Sequence, residues 1–224
     1  LKNVRQKTIG YGRFLQTEVN VKADKIYYHN DVPQGVSFSV VRNEEEVQIK
    51  IPGIVGLQHT YGCAAAVAVA GHLGIPIKAA AAGLTQHKTP PGRLRIIKGL
   101  KGSTLIDDSY NSSPIALEHA LETVTTIKHV KRRIAVLGDM LELGKFSSEE
   151  HIRLGKKLAE NFDVLFTIGI RARGFAEGAL HNGMDESAIF QYEQTARAGR
   201  ELQQILLPGD LVLVKASQGI RVEK

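Results

Sequence analysis

Cysteine occurs once in this sequence, at Cys63, and tryptophan does not occur at all. A single thiol excludes an intrachain disulfide and leaves too few sulfur ligands for a structural zinc site. Long apolar runs are missing too. The longest weakly polar stretch, Cys63 to Gly71, falls well short of the ~20 residues that a bilayer-spanning helix needs. The opening, Leu1 to Arg13, is polar and basic and unlike a signal peptide. These readings predict a soluble, cytoplasmic protein with no membrane partner. Several catalytic signatures are also lacking: no G-x-x-x-x-G-K-[ST] phosphate loop, no G-x-G-x-x-G fingerprint, no H-E-x-x-H and no G-x-S-x-G. The hydrolase and dehydrogenase classes are left without a motif, and no set of metal ligands stands out.

What is present is ordinary for a globular chain: 224 residues, 43% hydrophobic and 23% charged, room for one large or two ordinary domains. The formal net charge is +6, with 10 Lys and Arg against 6 Asp and Glu in residues 1–90 and 19 against 17 in residues 91–224. Only Lys131-Arg132-Arg133 forms a basic run. A nucleic-acid surface needs a clustered basic stripe, with aromatic platforms where single strands bind. The reading is therefore no nucleic-acid partner. A mild positive excess suits small phosphorylated ligands.

The pattern changes at Pro90-Pro91-Gly92. Before it, Val19 to Tyr28, Val36 to Val40 and Val47 to Ile51 alternate as strands, with Arg42 to Glu46 as a polar hairpin connection. Two alanine-rich helices follow, from Thr60 to Leu73 and from Pro76 to Leu84. This half reads as the end of an α+β domain. From residue 91 on, strands at 94–97, 104–107, 134–137, 164–168, 188–192 and 211–215 alternate with helices at 114–128, 147–162, 172–180 and 194–206. Ser113 and Pro114 fit the N-cap and first position of their helix. Ser147 with Glu150 reads as a capping box, and Ile152, Gly155, Leu158 and Phe162 as the inner face of that helix. Such alternation predicts an α/β domain with a mainly parallel sheet and helices on both faces, its ligands at the carboxyl ends of the strands.

Three of those ends carry chemistry. Asp107-Asp108-Ser109-Tyr110-Asn111 crowds two carboxylates, a phenol and an amide ahead of a helix. Asp108 can accept from ribose hydroxyls and Tyr110 offers a flat face, but Asp and Asn are also plain turn residues. The residues alone leave both readings open. Gly138-Asp139-Met140-Leu141-Glu142-Leu143-Gly144 reads as a shaped loop or as an ordinary strand-to-helix connection. Lys215-Ala216-Ser217 sets a cation and a hydroxyl at a helix start, where anions bind readily. His59, opening the first alanine-rich helix, is a cap, a core histidine or a ligand contact.

Taken together these segments resemble the Mur ligase family, in its D-alanyl-D-alanine-adding branch. Gly92-Arg93 looks like the opening of that family's C-terminal domain, and Asp107 to Pro114 like its D-D-S-Y-N-x-N-P. Val136 to Gly144, with His151 following, is similar to V-L-G-D-M-x-E-L-G, and Gly209 to Ser217 to G-D-x-V-L-V-K-G-S. Thr60 and Cys63 stand where asparagines are usual, Ser113 replaces a further asparagine and Ala216 a glycine.

The resemblance implies that residues 1–90 are the C-terminal part of a central ATPase domain and residues 91–224 a Rossmann-like C-terminal domain, with Pro90-Pro91-Gly92 at or beside the hinge. It implies an ATP-dependent ligase of peptidoglycan precursor synthesis that joins D-alanyl-D-alanine to UDP-N-acetylmuramoyl-tripeptide through an acyl phosphate, the complete enzyme being a monomer. ATP would come with Mg2+, whose ligands are expected outside this chain. Arg93 would act on the nucleotide phosphates, and His59, Asp108, Tyr110 and Asn111 would contact the nucleotide. Asp139, Glu142, Lys215 and Ser217 would face the peptide substrates. Another Mur-type amide ligase and a non-catalytic binding module are the alternatives. Without a phosphate loop the chain by itself is expected not to hydrolyse ATP.

Overall fold

The computed structural model describes residues 8–13 and 17–223; most of the basic opening, residues 1–7, lies outside them. The chain forms two compact units: the stretch up to Lys88, apart from Asn30–Val32, makes the first, and Asn30–Val32 together with the stretch from Thr89 on makes the second.

In the first unit β1 (Tyr11–Gly12), β2 (Val19–His29), β3 (Val32–Arg42) and β4 (Glu45–Pro52) form one sheet in that order. β1 runs parallel to β2, and β3 pairs antiparallel with β4, Phe38 opposite Ile49 and Val40 opposite Val47. The connection expected over Arg42 to Glu46 is tighter than its polarity indicated. Only Asn43 and Glu44 lie outside the strands, both at positive φ (49° and 65°), the twist that suits a two-residue hairpin turn. Helices α1 (Gln58–His72) and α2 (Ile77–Thr85) lay Cys63, Ala64, Val67, Ala68, Ile77 and Ala81 on Val36, Phe38, Ile49 and Ile51. Small side chains allow that close approach. Tyr61 and Val69 of α1, and Leu57 and Leu73 flanking it, are exposed.

The second unit holds β5 (Arg95–Lys98), β6 (Thr104–Asp107), α3 (Pro114–Thr125), β7 (Arg132–Gly138), α4 (Ser147–Asn161), β8 (Val164–Ile168), α5 (Arg173–His181), β9 (Ile189–Tyr192), α6 (Thr195–Ile205) and β10 (Asp210–Lys215). Their sheet order is β5-β6-β10-β7-β8-β9, and every pairing is parallel except β5 with β6. Alternate residues divide between the faces. Ile134, Val136, Phe166, Val212 and Val214 pack with Ala198 and Leu206 around α6. Ala135, Leu137, Leu165, Leu211 and Leu213 are equally buried on the other face, where α3, α4 and α5 pack together. The α4–α5 crossing is so close that a Cβ on Gly155 would run into the Phe175 carbonyl, and one on Gly178 into that of Ile152. Both positions therefore need glycine, since neither backbone can yield without opening the crossing.

Some local expectations change. α3 stops at Thr125, about a turn early. The Thr125 and Thr126 hydroxyls donate back to the Glu122 and Thr123 carbonyls (2.7 Å each), and His129 turns the chain at φ 60°. Ile127 is buried all the same. Ser147 is no N-cap. It is already helical (φ −56°, ψ −51°), because a 3-10 turn over Gly144–Phe146 runs straight into α4. The inner face of α4 is His151, Leu154, Gly155 and Leu158. After β10, Gln218–Ile220 form a single 3-10 turn instead of the expected helix start.

Candidate functional site

β6, β10, β7 and β8 are neighbours and all parallel, so the loops that leave their carboxyl ends line up along one mouth of the sheet. The residues singled out there build two linked clusters.

The first joins the 91–94 turn to the end of β6. Arg93 lies between Gly92 (φ 73°) and Leu94 (φ 50°). Gly92 admits no side chain, since a Cβ would sit 2.6 Å from the Tyr110 nitrogen. The doubled acid then divides its work. Asp107 accepts from Gly92 N (3.0 Å), Ser109 N (3.2 Å) and Ser109 Oγ (2.5 Å), the turn role. Asp108 is buried and accepts from Leu94 N (3.2 Å) and from Lys215 Nζ (2.6 Å). Lys215, on the neighbouring strand, also donates to the Asn111 carbonyl (2.8 Å).

The turn is thus stitched down on both sides of Arg93, whose guanidinium is exposed and stacks over the Tyr110 ring, 4.0 Å from its centroid. A cation on an aromatic face is stabilised and confined in orientation. Burial pushes the Asp108 carboxyl above the ordinary aspartate range and the Lys215 ammonium below the ordinary lysine range, each opposed by the attraction of the other. Asn111 uses its side-chain oxygen on Ser112 N (2.8 Å), and Ser113 Oγ caps α3 by accepting from Ala116 N (3.3 Å).

The second cluster fastens the loop after β7. Asp139, buried, accepts from Ala172 N (2.7 Å) and lies 3.7 Å from an Arg171 nitrogen. Its backbone N–H donates to the Ile168 carbonyl (3.2 Å) and its carbonyl accepts from Ser217 N (3.0 Å). Ser217 Oγ accepts from Leu141 N (2.9 Å) and donates to the Ser112 carbonyl (3.4 Å), which ties this cluster to the first. Glu142 is exposed at φ 67°.

Of the sequence-selected residues, Arg93, Asp108, Tyr110, Asn111 and Lys215 converge in one cluster and Asp139 and Ser217 in the adjoining one, while Glu142 lies exposed on the loop that Asp139 opens. His59 belongs to the other unit, half-buried in the first turn of α1. The two departures beside it are interior residues. Thr60 is fully buried and donates to the Leu57 carbonyl (2.6 Å), and burial pushes the Cys63 thiol up to about 11. Such a thiol is no nucleophile near neutral pH.

Residue reasoning missed His151 as a member of the site. Its ring is fully buried, tilted against Phe175 at 4.6 Å between centroids. Nδ1 lies 2.6 Å from the Ser147 carbonyl oxygen, and Nε2 accepts from Met140 N at 3.1 Å. The available signal was a histidine on the buried stripe of an amphipathic helix. Among the described residues no group of three or more His, Cys, Asp and Glu can hold a metal ion, and no helix is long and apolar enough to cross a membrane.

Residues 92–218 match the family described as Mur ligase, glutamate ligase domain. The chain is 31% identical over 206 residues to the UDP-N-acetylmuramoyl-tripeptide–D-alanyl-D-alanine ligase of Bacillus subtilis, covering 88% of this chain and 44% of that protein. A crystal structure of MurF from Acinetobacter baumannii superposes with a TM-score of 0.78 at 25% identity, over 96% of this chain and 45% of that one. MurF ligase from Thermotoga maritima, solved in complex with ADP, shares the fold with a TM-score of 0.76 at 24% identity, over 96% of this chain and 46% of that one. The chain therefore spans less than half the length of the relatives it matches.

Proposed function

The chain belongs to the Mur ligase family, and from that premise we propose that it is part of an ATP-dependent ligase joining D-alanyl-D-alanine to UDP-N-acetylmuramoyl-tripeptide. Residues 91–224 are its C-terminal domain, residues 1–90 the end of its central domain, and the enzyme works in the cytoplasm. The similarity to the B. subtilis ligase supports this choice of substrates.

The chemistry asks for little covalent participation by side chains. The γ-phosphoryl of ATP passes to an oxygen of the tripeptide's terminal carboxylate, giving ADP and an acyl phosphate. The amine of D-alanyl-D-alanine attacks the acyl carbon, the bond to the phosphate oxygen breaks, inorganic phosphate leaves and the amine gives up a proton. Negative charge shifts among phosphate oxygens throughout, so fixed cationic donors matter most.

The observation that carries the reading is Arg93. It is exposed, stacked on Tyr110 and held by a turn that Asp107, Asp108 and Lys215 brace. A guanidinium so oriented offers its planar fork to phosphate oxygens without having to be ordered first. In this reading Tyr110 and Asn111 flank the nucleotide. Asp108 can share its carboxylate between the ribose and the turn it braces. Glu142 faces the peptide substrate, and Asp139, Lys215 and Ser217 hold the loops that shape the mouth. In this reading Mg2+ accompanies ATP, with its ligands outside this chain.

The test uses the full-length protein that contains this chain. Incubated with ATP, UDP-N-acetylmuramoyl-tripeptide and D-alanyl-D-alanine, it is expected to release phosphate in step with amide formation only when all three are present. Equal turnover with a single amino acid in place of the dipeptide would remove the assignment.

A further inference from the structure

The loop leaving β7 is clamped through three successive backbone N–H groups, each to a different part of the fold. Asp139 N donates to Ile168 at the end of β8, Met140 N to His151 on α4, and Leu141 N to Ser217 after β10. The next residue is Glu142, exposed at φ 67°. A left-handed conformation is unfavourable for glutamate and persists where its surroundings over-determine it. The three clamps supply that constraint, and His151 is the titratable one among their acceptors.

The ring's protonation state follows from its two partners. The Ser147 carbonyl can only accept, so Nδ1 carries the proton; the Met140 amide can only donate, so Nε2 is bare. A second proton on Nε2 would turn N–H against N–H. We propose that His151 is a positioning residue of the ligase: neutral, with its proton on Nδ1, it latches Met140 and holds Glu142 at the sheet mouth, and protonation of Nε2 releases the latch. What Glu142 does for substrate rests on the function proposed above; the latch itself does not.

The surroundings favour the neutral ring. Burial beneath Phe175 holds the His151 pKa below its usual 6.5, and Arg171 acts in the same direction. Asp139 on the loop and Glu150 on α4 act against it, as does the bond to Ser147. Asp139 already accepts from Ala172 N. Because the folded-state value lies below the unfolded one, the latch is complete above about pH 6.5 and is lost as pH falls through the folded value.

Nitrogen NMR of the whole 224-residue chain with 15N-labelled histidine tests this. At pH 7 the His151 signals should show a protonated Nδ1 and a bare Nε2. On acidification below 6.5 the ring should titrate in the same step in which Met140 amide exchange, corrected for its intrinsic pH dependence, speeds up about tenfold. Exchange across Val164–Ile168 should stay unchanged. An Nε2-protonated ring at pH 7, or a ring that titrates while Met140 stays protected, overturns the proposal. In the full-length ligase, His151→Gln should raise the peptide-substrate KM more than it lowers kcat and flatten the acid limb of the KM profile; an unchanged acid limb counts against it. If the variant fails to fold, the titration of the unmodified chain still decides. A protein with no ligase activity would count against the function proposed above and leave the NMR result standing.

Discussion

Replacing Arg93 by alanine in the full-length ligase is expected to lower kcat by roughly 100- to 1,000-fold, the size seen when one fixed donor is removed from developing oxyanion charge. The KM for ATP should change by less than about threefold, since an interaction strengthened in the transition state appears chiefly in kcat. Arg93→Lys keeps the charge but loses the planar stack on Tyr110, so it should recover only part of the rate. Tyr110→Ala should fall between wild type and Arg93→Ala, and Tyr110→Phe close to wild type. Steady-state kinetics over ATP concentration measure all four. An Arg93→Ala enzyme with unchanged kcat would return the residue to a turn-forming role.

The second large effect concerns folding. Lys215→Met leaves the buried Asp108 carboxylate without its cation, and breaking a buried pair from one side costs about 3–5 kcal/mol. The loss should be read from the unfolding transition of the unit that carries the β5–β10 sheet, by urea denaturation at pH 7. Its pH dependence has a definite sign. Without Lys215 the folded-state pKa of Asp108, already above the ordinary value through burial, rises further. The protonated carboxyl then favours the folded state most below its unfolded pKa, and that advantage is lost as pH rises through the folded value. The deficit should therefore shrink toward pH 4 and grow toward pH 7. Asp108→Asn combined with Lys215→Met removes the stranded charge and should restore most of the loss. A deficit below about 1 kcal/mol at pH 7, the range of exposed pairs, would mean that the pair is not the brace described.

What could be read from the residues was local or periodic. Short apolar runs such as Ile134 to Leu137 marked the buried strands, Ser113-Pro114 marked the start of α3, and the alternation after residue 91 gave the sheet its class. Distant pairing could not be read. Asp108 and Lys215 are brought together only because β10 inserts between β6 and β7, a matter of sheet order that no local pattern encodes. The doubled acid looked like one feature, yet Asp107 fixes the turn and Asp108 takes the lysine. Ser147 had the spacing of a capping box, and the preceding 3-10 turn removed the need for one. His151 entered only through the resemblance and was given no role, because its partner, the Met140 amide, is backbone, and backbone donors leave no mark on a sequence.

The most direct test of the ligase assignment follows oxygen atoms. With the tripeptide's terminal carboxylate labelled with 18O, the full-length protein should transfer one labelled oxygen to each phosphate released, and only when D-alanyl-D-alanine is there to take the acyl group. That outcome requires an acyl phosphate formed on the substrate carboxylate and opened by the amine. Phosphate released without label, at the same rate with or without the dipeptide, would mean simple ATP hydrolysis and would contradict the account.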